Sequence, residues 1–529
     1  MVAGNEINYD TSATALEMAE EIFGDGVTVV GASYTGDDRS SAIYSDPNGY
    51  STDVLPSSTG VILSTGQAAS FTTENPNESN VSTRTSTNTS GENNNADFNA
   101  VAGQTTYDAS YMDVSFTTEA GFITMQFTFA SEEYPEYTSS IYNDVVAVWI
   151  NGAYVPMVAG DGNTSVTNIN EQNTLNLYQD NTGDQFNTEM DGFTVTMALT
   201  IPVVPTTDPN NPQVNTIRIG IADASDSSWD SNVLIAGDSV QSVLVADHDE
   251  FTIGTNFTKT FDVLDNDLSE NGGVEVTHIN GIAVQPGDSV TLATGQTVTL
   301  NADFTFDIQS TSDTEEVVFT YAVEDSQGVT DTAFVTLETI PCFVAGTLIL
   351  TPGGERQIDT LRPGDEVITH DNGPQPIRWI GHRTLAAEGK FAPIRIEAGA
   401  LGDHGQLLVS PLHRVLIRDT LSELLFGEPE VLVSAKHLVN DRTIRPVEGG
   451  FVTYVHFLFD AHQVVFSEGL ATESFLPGPQ TNDCFEAAVL DEICEIFPEL
   501  DPATGAGYSP AARLTLKAHE ARLLMQGAA

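Results

Sequence analysis

The 529-residue chain is poor in positive charge and in sulfur. Before residue 342 the only Lys or Arg residues are Arg39, Arg84, Arg218 and Lys259, and there is no cysteine. Against 75 Asp and Glu the whole chain carries 18 Lys and Arg, a formal net charge of −57. Such a surface repels phosphate backbones, which excludes direct nucleic-acid binding. It suits a salty or extracellular setting, where ions screen the self-repulsion, and it suits divalent cations held by clustered carboxylates. The alternative is that the acidity serves solubility alone. The three cysteines, Cys342, Cys484 and Cys494, are too few for a disulfide framework. The first ten residues have neither a basic segment nor an apolar one, so no Sec-type signal peptide is expected. No apolar run reaches the ~18 residues of a membrane span, so no transmembrane helix is expected either.

Hydrophobic content of 40% is that of a globular chain, and its length accommodates several domains. Val, Ile, Phe and Thr clusters separated by Gly, Asn and Asp turns predict a mainly β protein. Residues 1–240 form a first, sandwich-like unit. A short amphipathic helix is expected over 13–23, with Ala15, Leu16, Ala19, Ile22 and Phe23 on its apolar side and Thr11 or Ser12 as its cap. Strands are expected at 27–30, 60–63, 122–129, 145–150, 193–199 and 217–221. The Asn-, Ser- and Thr-rich tract 72–99 is too polar for a core and reads as a long surface loop. Residues 241–340, with short strand runs at 257–264, 274–279, 289–292, 297–300, 304–308, 316–323 and 332–337, predict a second β-sandwich. Residues 341–480 are again strand-rich, with turns at Gly353-Gly354, Pro363-Gly364-Asp365 and Asp371-Asn372-Gly373. Residues 481–529 read as a partly helical extension, with a docked helix expected over 511–525.

The composition changes abruptly at Cys342, the first residue of CFVAGTLI, after which Arg, Lys and His become common. A lone thiol at the first position of a new domain points to chemistry on the preceding peptide bond, Pro341–Cys342. That chemistry needs a nucleophile that reaches the carbonyl of the preceding residue, which a cysteine does through a five-membered ring. It needs an imidazole to protonate the leaving amide nitrogen, donors for the oxyanion and a second nucleophile to resolve the thioester. The stretch LLVSPLHRVLI at 407–417 supplies Ser410 and His413, and YVHFLFDAHQVVFSEG at 454–469 supplies His456, Asp460 and His462.

Cys342 with FVAGTLILTPGGERQIDTLRPGDEVIT resembles the first block of the Hint family, the β-fold shared by hedgehog autoprocessing domains and inteins. Ser410-Pro411-Leu412-His413 resembles that family's Thr-x-x-His block, and His462 within DAHQVVFSEGL its late histidine block. With Arg378-Trp379-Ile380-Gly381 and 468–478, the whole stretch is most similar to the bacterial Hint variety at the ends of large acidic secreted proteins. The resemblance implies that Cys342 performs an N-to-S acyl shift. It implies that His413, supported by Ser410, polarises or protonates the scissile amide, and that His462 assists the shift or its resolution. No His-Asn pair followed by Cys, Ser or Thr closes the segment, so the implied outcome is cleavage or transfer of residues 1–341 and not splicing.

FTFASEEYPEYTSSIYNDVVAV (127–148) and IADASDSSWDSNVLI (221–235) resemble the choice-of-anchor L domain of bacterial surface proteins. Glu132, Glu133, Asp144, Asp223, Asp226 and Asp230 are hard oxygen donors of the kind calcium prefers, unless these Asp and Asn residues only fill turns. The second unit resembles bacterial cadherin-like or Ig-like repeats through Asp247-His248-Asp249, VLDND at 263–267 and YAVEDSQGVTDTAFVTL at 321–337. In such repeats junction carboxylates bind calcium, which here implicates Asp247, Asp249, Asp265 and Asp267; the plain alternative is an inert spacer. The expectation is an acidic protein outside the cell or on its surface, exported without a signal peptide. Its Hint domain would cut itself in cis, without a cofactor, and hand the N-terminal portion to water, a surface group or another protein. The main alternative is a calcium-dependent adhesin or matrix protein with a purely structural Hint fold. A third reading, a cysteine hydrolase acting in trans, fits poorly with a thiol at a domain's first residue.

Overall fold

The apolar runs separated by Gly and Asn turns form strands close to where the pattern places them. The structure is a computed structural model describing residues 2–82, 84–138, 140, 142–160, 162–253, 258–311, 317–338, 343–387, 392–440, 442–476, 509–516, 521 and 524. Pro341 and all the cysteines, Cys342, Cys484 and Cys494, lie outside the described residues. The protein is mainly β and divides into two compact units, one of Met1–Asp249, Thr260–Ile308 and Val317–Thr336, the other of Glu250–Lys259, Gln309–Glu316 and Leu337–Ala529.

In the first unit two sheets face each other. One runs in the order Asn8–Asp10, Ser41–Ser45, Thr59–Ser64, Ser231–Ala236, Phe122–Ser131, Gly192–Thr194, Tyr178–Asp180, with Met197–Pro202 also paired to Phe122–Ser131. The run expected at 193–199 is thus two strands. The other sheet runs Val27–Thr35, Thr106–Thr118, Asn215–Ala224, Val145–Ile150, Ala153–Val155. Between them lie Phe116, Phe127, Phe129, Val148, Ile219 and Val233, each burial contributing about 2 kcal/mol. The outer faces are covered too. Phe98, from the helix Ala96–Ala102, packs with Trp149 and Ala147, and Phe71, Phe193 and Met190 pack with Ile62 and Leu234. Double-sided burial explains why Val145–Ile150 is an unbroken apolar run.

The expected N-terminal helix spans Ala15–Ile22 and buries Met18, Ala19 and Ile22. Two details differ from the sequence reading. The cap is Thr14, in a capping box with Glu17, because only Thr14 places its hydroxyl three residues before a glutamate that reaches back. Leu16 is 44% exposed. The Ig-like strands join this same unit through side-chain bonds. The Gln126 amide donates to the Thr330 carbonyl (2.9 Å) and its oxygen accepts from Thr332 (3.1 Å), while the Asn176 amide donates to the Val318 carbonyl (3.1 Å). Val318 is also part of the sandwich core.

The second unit has a six-stranded sheet, Trp379–Ala386, Phe451–Leu458, Phe343–Val344, Leu407–Val409, Ile394–Ile396, Ile444–Pro446. A nine-stranded sheet contains the path Gly354–Gln357, Leu348–Thr351, Val464–Ser467, Leu470–Glu473, Arg414–Arg418, Glu430–Ser434, Leu514–Thr515. Its hairpin Glu366–Thr369/Gly373–Pro376 turns at Gly373, whose φ of +65° explains the glycine after Asp371-Asn372. The tail departs from expectation. Leu514–Thr515 is a strand, parallel to Val431 and Leu432, and not part of a helix. Leu516, Ala521 and Leu524 are buried in the core of this unit. Within the span expected as helix, Ala521 and Leu524 are helical; the other residues beyond Leu516 lie outside the described residues.

Candidate functional site

The site of the second unit is assembled from consecutive strand ends. Ser410 follows the strand Leu407–Val409, and the turn Ser410-Pro411-Leu412-His413 closes with the His413 N–H donating to the Ser410 carbonyl (3.1 Å). The Ala435 N–H donates to the His413 carbonyl (2.9 Å) and the Lys436 N–H to the Pro411 carbonyl (2.8 Å), so both backbone flanks are fixed. Phe343 pairs with Val409 on one side and Val455 on the other. Its ring lies 4.2 Å from that of His413 and stacks on Phe457 at 5.3 Å. His413 is 1% exposed, and neither ring nitrogen has a hydrogen-bond partner among the described residues. Burial pushes its imidazole down to about 4, with Glu473 pulling upward and Arg414, His456 and His462 adding to the downward push. The ring is therefore neutral at ordinary pH.

His462 is placed differently. Its Nδ1 accepts from the Ala512 N–H (2.9 Å), so the proton sits on Nε2, which donates to the Ser474 carbonyl at 3.0 Å and faces Glu473 Oε2 at 3.5 Å. Its own N–H donates to the Ser509 hydroxyl (2.7 Å). Both ring nitrogens are thus engaged, two of these contacts tying down the tail. His456 is buried with its ring edge toward Phe475, whereas Asp460 is exposed and paired with Arg378 at 2.7 Å.

One residue at the centre was missed by sequence reasoning. Glu473, fully buried, accepts the Arg414 N–H (3.0 Å) and pairs with Arg414 Nη1 (3.3 Å) and His462. Burial raises its carboxyl, but Arg414, His462 and His413 outweigh that and hold it below its ordinary value. The only signals in the sequence were an acid closing a short strand and an arginine beside His413. Cys342, the expected nucleophile, lies outside the described residues.

The carboxylates of the first unit gather at the strand ends of the sandwich and hold the polar tract. Along it the N–H groups of Ser79 and Asn80 donate to Asp184, those of Val81 and Ser82 to Glu189, that of Thr85 to Glu132, of Thr87 to Asp230, of Thr89 to Asp108 and of Ser90 to Asp37. The expected loop is therefore a strap pinned by buried acids. Of the expected metal ligands, Glu132, Glu133, Asp144, Asp223 and Asp230 are buried, while Asp226 is exposed and accepts a turn N–H from Ser228. Burial pushes Glu132 up to about 9 and Asp230 up to about 6. In the Ig-like part Asp267 accepts the Asp247 N–H (2.8 Å) and the Tyr321 hydroxyl (3.1 Å); Asp249 is buried, and Asp265 is exposed. Burial pushes Asp249 up to about 8 and Asp267 up to about 7. Among the described residues no three His, Cys, Asp or Glu side chains form a ready-made metal shell.

The buried His413 ring is thus tilted against Phe343, the residue that follows Cys342 in the chain. Residues 341–479 match the Hint domain family, residues 6–241 the choice-of-anchor L domain and residues 241–338 the bacterial Ig domain. Among solved structures the chain is similar to the MchDnaB-1 intein (14% identity, 25% of this chain and 98% of that one, TM-score 0.18). It is also similar to the gp41-1 intein (10% identity, 25% and 97%, TM-score 0.17). No curated protein matches the chain. The choice-of-anchor domain points to a surface or extracellular protein, and no helix among the described residues is long and apolar enough to cross a membrane.

Proposed function

We propose that the Hint domain breaks the Pro341–Cys342 bond in cis. The Cys342 thiol attacks the Pro341 carbonyl carbon, a C–S bond forms, the C–N bond breaks, and the freed amine takes a proton. Water or an acceptor nucleophile then displaces the thiol, which leaves residues 1–341 as a carboxylate or as an adduct of that acceptor. The carrying observation is His413: an imidazole kept neutral by burial, with both nitrogens open among the described residues, against the residue that follows Cys342 in the chain. A buried polar side chain without a partner calls for an explanation in function, and a neutral imidazole can pass a proton to the leaving amine. Ser410 fixes the turn that presents His413. His462 acts by holding Glu473 and the tail. The released portion is an acidic surface or extracellular module. Intact mass of the purified chain, with and without dithiothreitol, tests this. Thiol-dependent appearance of a fragment ending at Pro341, absent in Cys342→Ala, is expected; an uncleaved chain identical to Cys342→Ala favours a structural Hint fold.

A further inference from the structure

Asp223 occupies an unusual place for an acid. It lies near the end of the strand Asn215–Ala224, where the register against Thr106–Thr118 shifts between Ile221 and Asp223, and such a bulge re-aims a side chain. It is 1% exposed, and neither carboxylate oxygen has a hydrogen-bond partner among the described residues. On the neighbouring strand Val145 pairs with Ala222, which brings Asp144 alongside. Asp144 is also 1% exposed; its Oδ1 accepts the Ala224 N–H (3.0 Å) and its Oδ2 has no partner among the described residues. Glu133 closes the group from the other sheet's edge, its Oε2 accepting the Asp144 N–H at 3.3 Å. Asp230 uses one oxygen on the strap and leaves Oδ2 without a partner among the described residues.

The neighbouring charges that act on Asp223 are those of Asp144, Asp230 and Asp108, all carboxylates. The basic side chains of this part of the chain are committed elsewhere: Arg39 to Asp37, Arg218 to Asp97 and Asp113, and Arg84 over the Trp229 ring, while Lys259 stands on the strand Thr258–Phe261. Burying several carboxylates without a counter-charge is costly. Among the described residues, then, no basic side chain is seen to supply the neutralising charge.

We propose that Asp223 and Asp144, with Glu133 and Asp230 beside them, bind a hard divalent cation of the calcium type at the end of the choice-of-anchor sandwich. Oxygen donors from different loops suit calcium, which accepts irregular shells completed by hydroxyls, carbonyls and water. The Thr65 and Ser231 hydroxyls lie against these carboxylates and extend the oxygen surface. The ion would lock the strand ends to the strap, and so complete the domain where its own side chains supply only negative charge. This differs from the wider ligand set legible in the sequence, since it leaves out the exposed Asp226 and Asp265.

Calcium titration of the full chain at neutral pH, followed by calorimetry and by thermal unfolding against a chelator-treated sample, tests the site. Saturable binding and a higher unfolding midpoint in calcium are expected. Asp223→Asn should lose that calcium-dependent shift, yet unfold no earlier than wild type in chelator, because the amide removes a buried negative charge. Asp265→Asn, on an exposed side chain, should keep the shift. Asp144→Asn serves as the second variant if Asp223→Asn fails to fold, with the same expected loss. The site is overturned if wild type shows no calcium response, or if Asp223→Asn or Asp144→Asn retains the whole of it; a proton shared among the carboxylates would then be the neutralising charge.

Discussion

The two units bury acids in opposite ways. In the second, Glu473 is sealed in the core with its counter-charge built in, Arg414 on the adjacent strand, and with the His462 Nε2 facing it across the hairpin. In the first, Asp223 and Asp144 are as deeply buried and the charges acting on Asp223 are those of other carboxylates, and Asp331 has one oxygen on the Ala246 N–H (3.0 Å) and the other without a partner among the described residues. The lesson follows the charge asymmetry of the chain. Of the 18 Lys and Arg, four precede residue 342, so 18 − 4 = 14 fall in the C-terminal part. A unit with cations to spare neutralises its buried acid internally. A unit with almost none must borrow protons or ions, which ties its stability to its surroundings.

The sharpest way to break this contrast is to remove the internal neutralisation. Glu473→Gln leaves the half-buried Arg414 without its buried counter-ion, and a loss of about 2–3 kcal/mol, below that of a fully buried broken pair, is expected. Chemical denaturation of the second unit reads this; a loss within experimental error would mean that the pair is a bystander.

A milder test uses pH, and the two units should respond with opposite signs. His413 has a folded-state value of about 4 against an ordinary 6.5, so its contribution is complete above 6.5 and is lost as pH falls toward 4. The full effect is on the order of 3 kcal/mol. Asp331 is pushed from 3.8 up to about 8 by burial, so its contribution is present below 3.8 and is lost as pH rises through about 8. Calorimetric transitions assigned to each unit should therefore move apart on acidification in chelator, the second unit downward and the first upward. Parallel movement would refute the contrast.

Much of the scaffold was legible in the sequence because local pattern decides it. The period of apolar residues placed Val145–Ile150 and Thr297–Leu300, and turn chemistry placed Gly373. Cys342 and His413 were legible as a change of composition and a short spaced motif. Glu473 was not, because its meaning depends on Arg414 and His462, partners 59 and 11 positions away (473 − 414 and 473 − 462) that only pairing of Leu470–Glu473 with its two neighbouring strands brings together. The polar tract was legible as surface but not as a strap, since its N–H donors find carboxylates up to 143 residues distant, as Thr87 finds Asp230. The tail misled because Leu514 and Leu516 alternate in a way that fits either a helix face or a strand, and the exposed edge of Glu430–Ser434 decided for the strand.

The central claim is that His413, open on both nitrogens among the described residues, serves the Pro341–Cys342 bond. The direct test is the rate of thiol-induced cleavage in His413→Ala against wild type, with Cys342→Ala as the zero and circular dichroism confirming the fold. Loss of a positioned proton donor predicts a fall of about 100-fold or more. Cleavage at the wild-type rate in a folded His413→Ala protein would contradict the account.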